Sequence, residues 1–308
     1  MDEGSAPSER TFVAMGCSTR RDYAFPLPLT CLLWREVVGY EPLALLVGSP
    51  GEWKAGRRVI LSALDELLIE HIFVPRVGDY EDPTLAQSVR QHAACHPGIP
   101  PAAWIMMSDA DLWPIRREFY RQHEGTSYRA VCYYSNGDGF RGKEDVLERL
   151  RLEVDFQSIP TCHVALRARD WRALYGLRPN GIAECLKRTL DGWIGPRTAG
   201  RSEEQIGWET WMADQRILTS KLCREPWFPE EALLVERRHP IADRLDRSMP
   251  ELWDGPFDPS RWIDAHLPKD LDEERRWGTI VRIFEAVLPA RAAFAKAYHA
   301  AWVPTRGY

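Results

Sequence analysis

Residues 104–114 read Trp104-Ile105-Met106-Met107-Ser108-Asp109-Ala110-Asp111-Leu112-Trp113-Pro114: four large apolar side chains, an abrupt change to Ser-Asp-Ala-Asp, and a return to apolar residues. A short continuous apolar run predicts a strand of a parallel sheet, because such strands are covered on both faces and show no polar alternation. Toward the N-terminus three runs of the same kind are separated by helical spacing. Thr11 to Gly16 predicts a first strand, Leu29 to Val38 a helix, Glu41 to Val47 a second strand, Ala55 to Ile69 a helix, and His71 to Pro75 a third strand. Asp82-Pro83 reads as an N-cap followed by proline at the first helical position, opening a helix through about Ala94. Strand alternating with helix over residues 11–113 predicts a parallel α/β sheet, whose ligands gather beyond the carboxyl ends of the strands. Asp109 and Asp111 follow the fourth strand and fall on that edge.

Past Pro114 the pattern changes. The stretches starting at Tyr128 (YRAVCYYS) and Phe156 (FQSIPTCHVALRA) predict strands with no full helical crossover between them, hence a mixed sheet. Helices are expected near Arg169 to Tyr175 and Gly181 to Trp193, over residues 208–224, and from about Asp270 to Val303.

The composition bounds the function classes. At 308 residues, 44% hydrophobic and 28% charged, the chain can bury a substantial core. A net charge of −5 argues against sequence-independent nucleic-acid binding, which relies on basic side chains to neutralise phosphates. The seven cysteines are scattered through apolar runs with no C-x-x-C pair, which reads as reduced core thiols. The first ten residues have no apolar signal-like run, and no segment reaches the ~18 apolar residues of a membrane span. A cytoplasmic protein is expected. Thirteen tryptophans exceed the ordinary needs of a core this size, and a tryptophan ring stacks well on flat apolar ligand faces.

Two carboxylates at i and i+2 after a buried strand can converge on a hard divalent cation. The same residues also suit a solvated turn, where Asp is favoured. Their confinement between apolar segments favours the cation.

Here the chain resembles the metal-dependent glycosyltransferases of the GT-A fold. The likeness rests on the first strand with its loop Gly16-Cys17-Ser18-Thr19-Arg20, on the motif Met107 to Trp113, on the helix bearing Asp214-Gln215, and on a late His239; together these span about residues 11–240. It implies a GT-A-like α/β fold: a mixed, mainly parallel sheet flanked by helices, with a helical C-terminal extension. The expected division is a flexible N-terminus at 1–10, a catalytic domain at 11–250 and a helical extension at 251–308. The domain splits into a nucleotide-binding half (11–113) and an acceptor half (114–250).

The implied activity is transfer of a hexose or pentose from a UDP- or GDP-sugar to a saccharide or other hydroxyl acceptor, with Mn²⁺ or Mg²⁺ bound. Asp111 and Asp109 would meet the metal, Asp109 alternatively the ribose, and His239 would be a third protein ligand. Gly16, Ser18, Thr19, Arg20, Arg90, Asp109 and Ala110 would face the nucleotide, with Tyr23 or Phe25 on the base. Arg237, Arg238, Arg244 and Arg247 can offset diphosphate charge, because guanidinium groups match phosphate oxygens bidentately.

An inverting transfer needs a carboxylate base. Asp214 is the first choice and Glu209 the second, and on one helix they point about 140° apart, so only one faces the site. Trp113, Trp208 and Trp211 fall where an acceptor sugar ring would lie. Two alternatives share the edge and its diphosphate chemistry: a nucleotide-sugar or glycan-binding protein without turnover, and a sugar-phosphate nucleotidyltransferase. The second usually carries a Gly-rich first loop, which Gly16 to Arg21 lacks.

Overall fold

The computed structural model describes residues 10–133, 159–198, 207, 210–235, 244–253, 255–269, 271 and 274–303. Among these residues ten strands run in chain order: β1 (Thr11–Cys17), β2 (Glu41–Val47), β3 (Glu70–Val74), β4 (Trp104–Ser108), β5 (Leu112–Pro114), β6 (Ala130–Tyr133), β7 (Val164–Arg167), β8 (Ala232–Val235), β9 (Arg244–Asp246) and β10 (Asp264–His266). The helices are α1 (Arg21–Ala24), α2 (Leu27–Leu33), α3 (Pro50–Gly56), α4 (Arg58–Glu66), α5 (Asp82–Val89), α6 (Ala168–Tyr175), α7 (Ile182–Thr198), α8 (Ala213–Leu222), α9 (Glu274–Val287) and α10 (Ala292–Trp302).

Seven strands form one sheet in the order β3-β2-β1-β4-β7-β6-β8. β3, β2, β1 and β4 are mutually parallel, β7 runs antiparallel to both of its neighbours, and β6 pairs parallel with β8. The sheet is therefore mixed and mainly parallel, as expected. Period-2 alternation divides its side chains between two cores. Val13 and Met15 point into one, with α2, α4, α9 and α10 packed over it; Phe12 and Ala14 point into the other, under α5, α6, α7 and α8. The C-terminal helices thus complete one layer of the domain, burying Trp277 and Trp302 against Phe25 and Phe284 against Trp113.

Local sequence explains several boundaries. Ser49 caps α3 by accepting from the Glu52 amide at 3.3 Å, while the Glu52 carboxylate accepts from the Ser49 amide at 2.7 Å. The N-cap of α5 is Glu81, so Asp82 and Pro83 are its first helical residues and the helix starts one residue earlier than the sequence suggested. Backbone meets backbone where β1 passes under α5. A Cβ at Gly16 would lie 1.8 Å from the carbonyl oxygen of Ala86, so only glycine fits.

Three differences from the sequence reading stand out. The first loop contains the helical turn α1; the strand in FQSIPTCHVALRA is limited, among the described residues, to Val164–Arg167; and β5, β8, β9 and β10 were not anticipated. β5, β10 and β9 form a separate three-stranded sheet, too short for its periodicity to show in sequence. Trp34, Trp53, Trp104, Trp171, Trp253, Trp262 and Trp302 are all buried. All seven cysteine thiols are unbridged, six of them buried. No helix among the described residues is long and apolar enough to cross a membrane.

Candidate active site

β4 ends at Ser108, and the loop Asp109-Ala110-Asp111 leads directly into β5. Three bonds fix that loop. The Trp34 indole donates to Ser108 Oγ at 3.1 Å, Thr30 Oγ1 donates to the Ala110 carbonyl at 2.6 Å, and the Leu112 amide donates to the Asp109 carbonyl at 3.3 Å. The two carboxylates are thereby held at the carboxyl edge of the sheet, at the head of a cleft of about 310 Å³.

The small sheet brings the third group. β10 pairs antiparallel with β5, setting His266 opposite Leu112, and parallel with β9, setting His266 beside Asp246 and Asp264 beside Arg244. The Leu267 amide also donates to the Asp111 carbonyl at 2.9 Å, tying β10 to the motif. Because strand side chains alternate, Arg244, Asp246, Asp264 and His266 share one face and Leu245 and Ala265 the other. Ligand atoms of Asp109, Asp111 and His266 all lie within 4.8 Å of one another.

A metal fits this set. Carboxylate oxygens and an imidazole suit Mn²⁺, and Mg²⁺ accepts carboxylates with the remaining positions filled by water or phosphate. The imidazole is oriented for it: His266 Nδ1 lies 3.2 Å from Asp246 Oδ2, which as a carboxylate accepts its proton, and Nε2 stands 3.7 Å from Asp111 Oδ2. Such a carboxylate–histidine pair fixes the tautomer of a metal-binding ring. Burial alone would raise the Asp246 carboxyl, but its bonds from His266 and Ser248 hold it well below the usual range, so it stays ionised as the acceptor.

The other charges are distributed unevenly. Burial acts to raise the Asp109 carboxyl, but Arg90 and then His266 outweigh it and hold it low; burial and the neighbouring Asp109 raise the Asp111 carboxyl against the opposing pull of His266 and Arg247. Arg90 lies at the cleft floor with its side chain 3% exposed, ion-paired with Asp109 and, at 2.9 Å, with Asp214. Arg90, expected to face the nucleotide diphosphate, lines the cleft with its guanidinium bridging these two carboxylates. Asp214, at the start of α8, also accepts from Thr161 Oγ1 at 2.7 Å. Burial raises its carboxyl, opposed mainly by Arg90.

Of the other expected residues, Gly16, Ser18, Tyr23 and Ala110 line the cleft. Thr19 and Arg20 do not; the Thr19 carbonyl accepts from Arg57 Nε at 2.8 Å, and Arg20 is exposed, its guanidinium 5.8 Å from the Tyr23 ring. Arg244 and Arg247 line the cleft, the first held in two bonds by Asp264, the second donating to Asp111 Oδ2 at 2.8 Å. Trp211 lines it too and is 41% exposed. Trp113 does not. Its β5 position pairs with Ala265 on the apolar face of the small sheet, so the ring is buried against Phe284 of α9 and is unavailable to an acceptor. His239, Glu209, Trp208, Arg237 and Arg238 lie outside the described residues. His266 and Asp246 were missed in the sequence; each sits in a polar-apolar-polar tripeptide too short to show a period.

No protein-family model and no curated protein sequence matches the chain. Among solved structures it is similar to the galactosyltransferase LgtC in complex with donor and acceptor sugar analogs, at 10% identity over 96% of this chain and 99% of that one, with a TM-score of 0.49. It is similar to the bifunctional glycosyltransferase WbbM at 8% identity, covering 97% of this chain and 53% of that one, with a TM-score of 0.47. It is also similar to glucosyl-3-phosphoglycerate synthase from Mycobacterium tuberculosis in complex with Mn²⁺, uridine-diphosphate and glucosyl-3-phosphoglycerate, at 12% identity over 91% and 80% of the two chains, with a TM-score of 0.34. These are likenesses of fold.

Proposed function

We propose that the chain is a metal-dependent glycosyltransferase that moves a sugar from a nucleoside-diphosphate donor to a hydroxyl acceptor. The observation that carries this reading is the convergence of Asp109, Asp111 and His266 at the head of a cleft that a third acid, Asp214, also lines. Two oxygen ligands and one imidazole leave coordination positions for diphosphate oxygens. When bound, the metal neutralises the charge that develops on the departing nucleoside diphosphate.

Each residue then has a task. Asp109 and Asp111 supply anionic oxygen, and Asp246 keeps the Nε2 lone pair of His266 available. Ser18 and Tyr23 line the end of the cleft next to β1, where a ribose and a base would rest, and Gly16 leaves room for α5 to close over it. Trp211 offers an exposed ring on which an acceptor sugar can stack. For an inverting transfer Asp214 takes the proton of the attacking hydroxyl, its carboxylate held in place by Arg90 and Thr161 through Oδ2. A retaining transfer needs no such base, and Asp214 then serves to hold the sugar.

The test is incubation of the full chain with a panel of nucleotide-sugars and Mn²⁺, measuring release of free nucleoside diphosphate. Metal-dependent release from one donor, lost in Asp111→Ala, is the expected result. Tight donor binding with no release under any acceptor would replace this reading with a binding protein. Failure of both metal and nucleotides to raise Tm would overturn both, because a ligand at a hundred times its Kd stabilises by about 2.7 kcal/mol.

A further inference from the structure

Three arginines line the cleft, and they are held in different ways. The Arg90 side chain is 3% exposed and bridges two carboxylates. Arg244, at 9%, donates through Nε and Nη2 to the two oxygens of Asp264 at 2.6 and 2.8 Å, beside which it sits in the β9–β10 ladder. Arg247 follows β9 in the turn that Asp246 braces through the Ser248 amide and hydroxyl. Its side chain is 28% exposed, and its ion pair is a single bond from Nη1 to Asp111 Oδ2. The first two are built into the floor. The third is held by one bond and is the most exposed of the three.

The oxygen it holds is the one that faces the imidazole. Asp111 Oδ2 receives Arg247 Nη1 at 2.8 Å and stands 3.7 Å from His266 Nε2. A divalent cation between Asp111 and His266 would take the lone pairs to which Arg247 donates, and two positive groups would then share one oxygen. The Asp111 side chain is only 5% exposed, and a carboxylate so buried requires a compensating charge. Either cation supplies it, and the two together repel.

We propose that Arg247 is the resident counter-cation of Asp111, displaced when a divalent metal binds, and that the displaced guanidinium turns to the diphosphate of the donor. This rests on the reading of the cleft as a metal and nucleotide-sugar site. Metal alone must expel Arg247 without giving it a new partner, whereas metal arriving with a diphosphate offers one with matching bidentate geometry. Arg247 thereby disfavours the metal in the absence of donor and couples the two ligands when they bind together.

The measurement is Mn²⁺ binding to the full chain, followed by electron paramagnetic resonance of free Mn²⁺, with and without UDP and GDP. In Arg247→Met, Mn²⁺ alone is expected to bind about tenfold tighter than in the unaltered chain. With Mn²⁺ saturating, its nucleoside-diphosphate affinity is expected to fall about tenfold. Arg247→Lys, which keeps a cation of similar reach, should stay within a fewfold of the unaltered chain in the first measurement, showing that charge and not packing is responsible. If Asp111→Asn abolishes Mn²⁺ binding but Arg247→Met binds it no tighter, the competition is wrong while the metal site stands. If the unaltered chain and both Arg247 variants bind no Mn²⁺ with either nucleotide, the reading of the cleft itself fails and takes this inference with it.

Discussion

The parallel strands β3-β2-β1-β4 and the small sheet β5-β10-β9 build one cleft by opposite means. The central parallel strands β2, β1 and β4 are covered on both faces, and the region contributes loop residues beyond strand ends: Ser18 after β1, Asp109 and Ala110 after β4. The small sheet has three residues in each strand and contributes from the strands themselves, with Arg244 and His266 lining the cleft and Asp246 bonded to His266. In the first region the scaffold and the reactive groups are separate segments of chain. In the second they are the same residues.

Asp111 lies where the two regions meet, and its loss is expected to have the largest effect. Asp111→Ala should reduce transfer about a thousandfold or more and abolish Mn²⁺ binding, because it removes an anionic ligand at the developing charge. Next in size is a change confined to the parallel region. Gly16→Ala places a methyl group 1.8 Å from the Ala86 carbonyl oxygen, so β1 and α5 must separate, at a cost of about 3 kcal/mol read as lower Tm. Unchanged stability there would show that the parallel region is more pliable than its packing implies.

Acid should act on the layer behind the parallel strands. Burial depresses the ring of His92 to a pKa of about 4, and it bonds to Ser88 and Thr189. An unfolded chain protonates this histidine near its ordinary 6.5, so between about 6.5 and 4 the unfolded state binds more protons. Stability is therefore lost as pH falls through that window, by about 3 kcal/mol in total. Urea unfolding across the window should show this slope, flattened in His92→Gln.

Changes confined to the small sheet should spare the fold and weaken the metal. Asp246→Asn removes the anionic acceptor that orients His266, and a loss of 10- to 100-fold in Mn²⁺ affinity at nearly constant Tm is expected. A drop in Tm with unaltered Mn²⁺ affinity would make Asp246 a structural residue only. The smallest effect belongs to Trp211, exposed at the rim. Trp211→Ala should raise the acceptor KM by about tenfold or less while donor hydrolysis is retained.

What the sequence made legible follows the same division. The fold class, the first four strands and the Asp109-Ala110-Asp111 edge are local patterns: apolar runs, helical spacing, and an acidic pair at a strand end. His266 was invisible because a three-residue strand offers no repeat from which a period can be read, and because its partners stand 20 residues away at Asp246 and 155 at Asp111. Trp113 was misread for a related reason. Position along the chain put it next to the metal loop, but the alternation of β5, unrecognised in sequence, turned it into the core. Arg90 was located correctly at the cleft, yet its bond to Asp214 spans 124 positions, and no local pattern reveals that its charge is already matched.

The pairing of β10 with β5 also carries information about where the chain tolerates change. A slip of one residue along that ladder would set Ala265 or Leu267 where His266 stands, leaving every strand intact and the ligand triad broken. Insertions or deletions within residues 264–267 should therefore erase metal binding in a folded protein, whereas length changes in the connection before Asp264 need not disturb it. The small sheet works as a vernier: its alignment, rather than its bulk, sets whether the third ligand is in place.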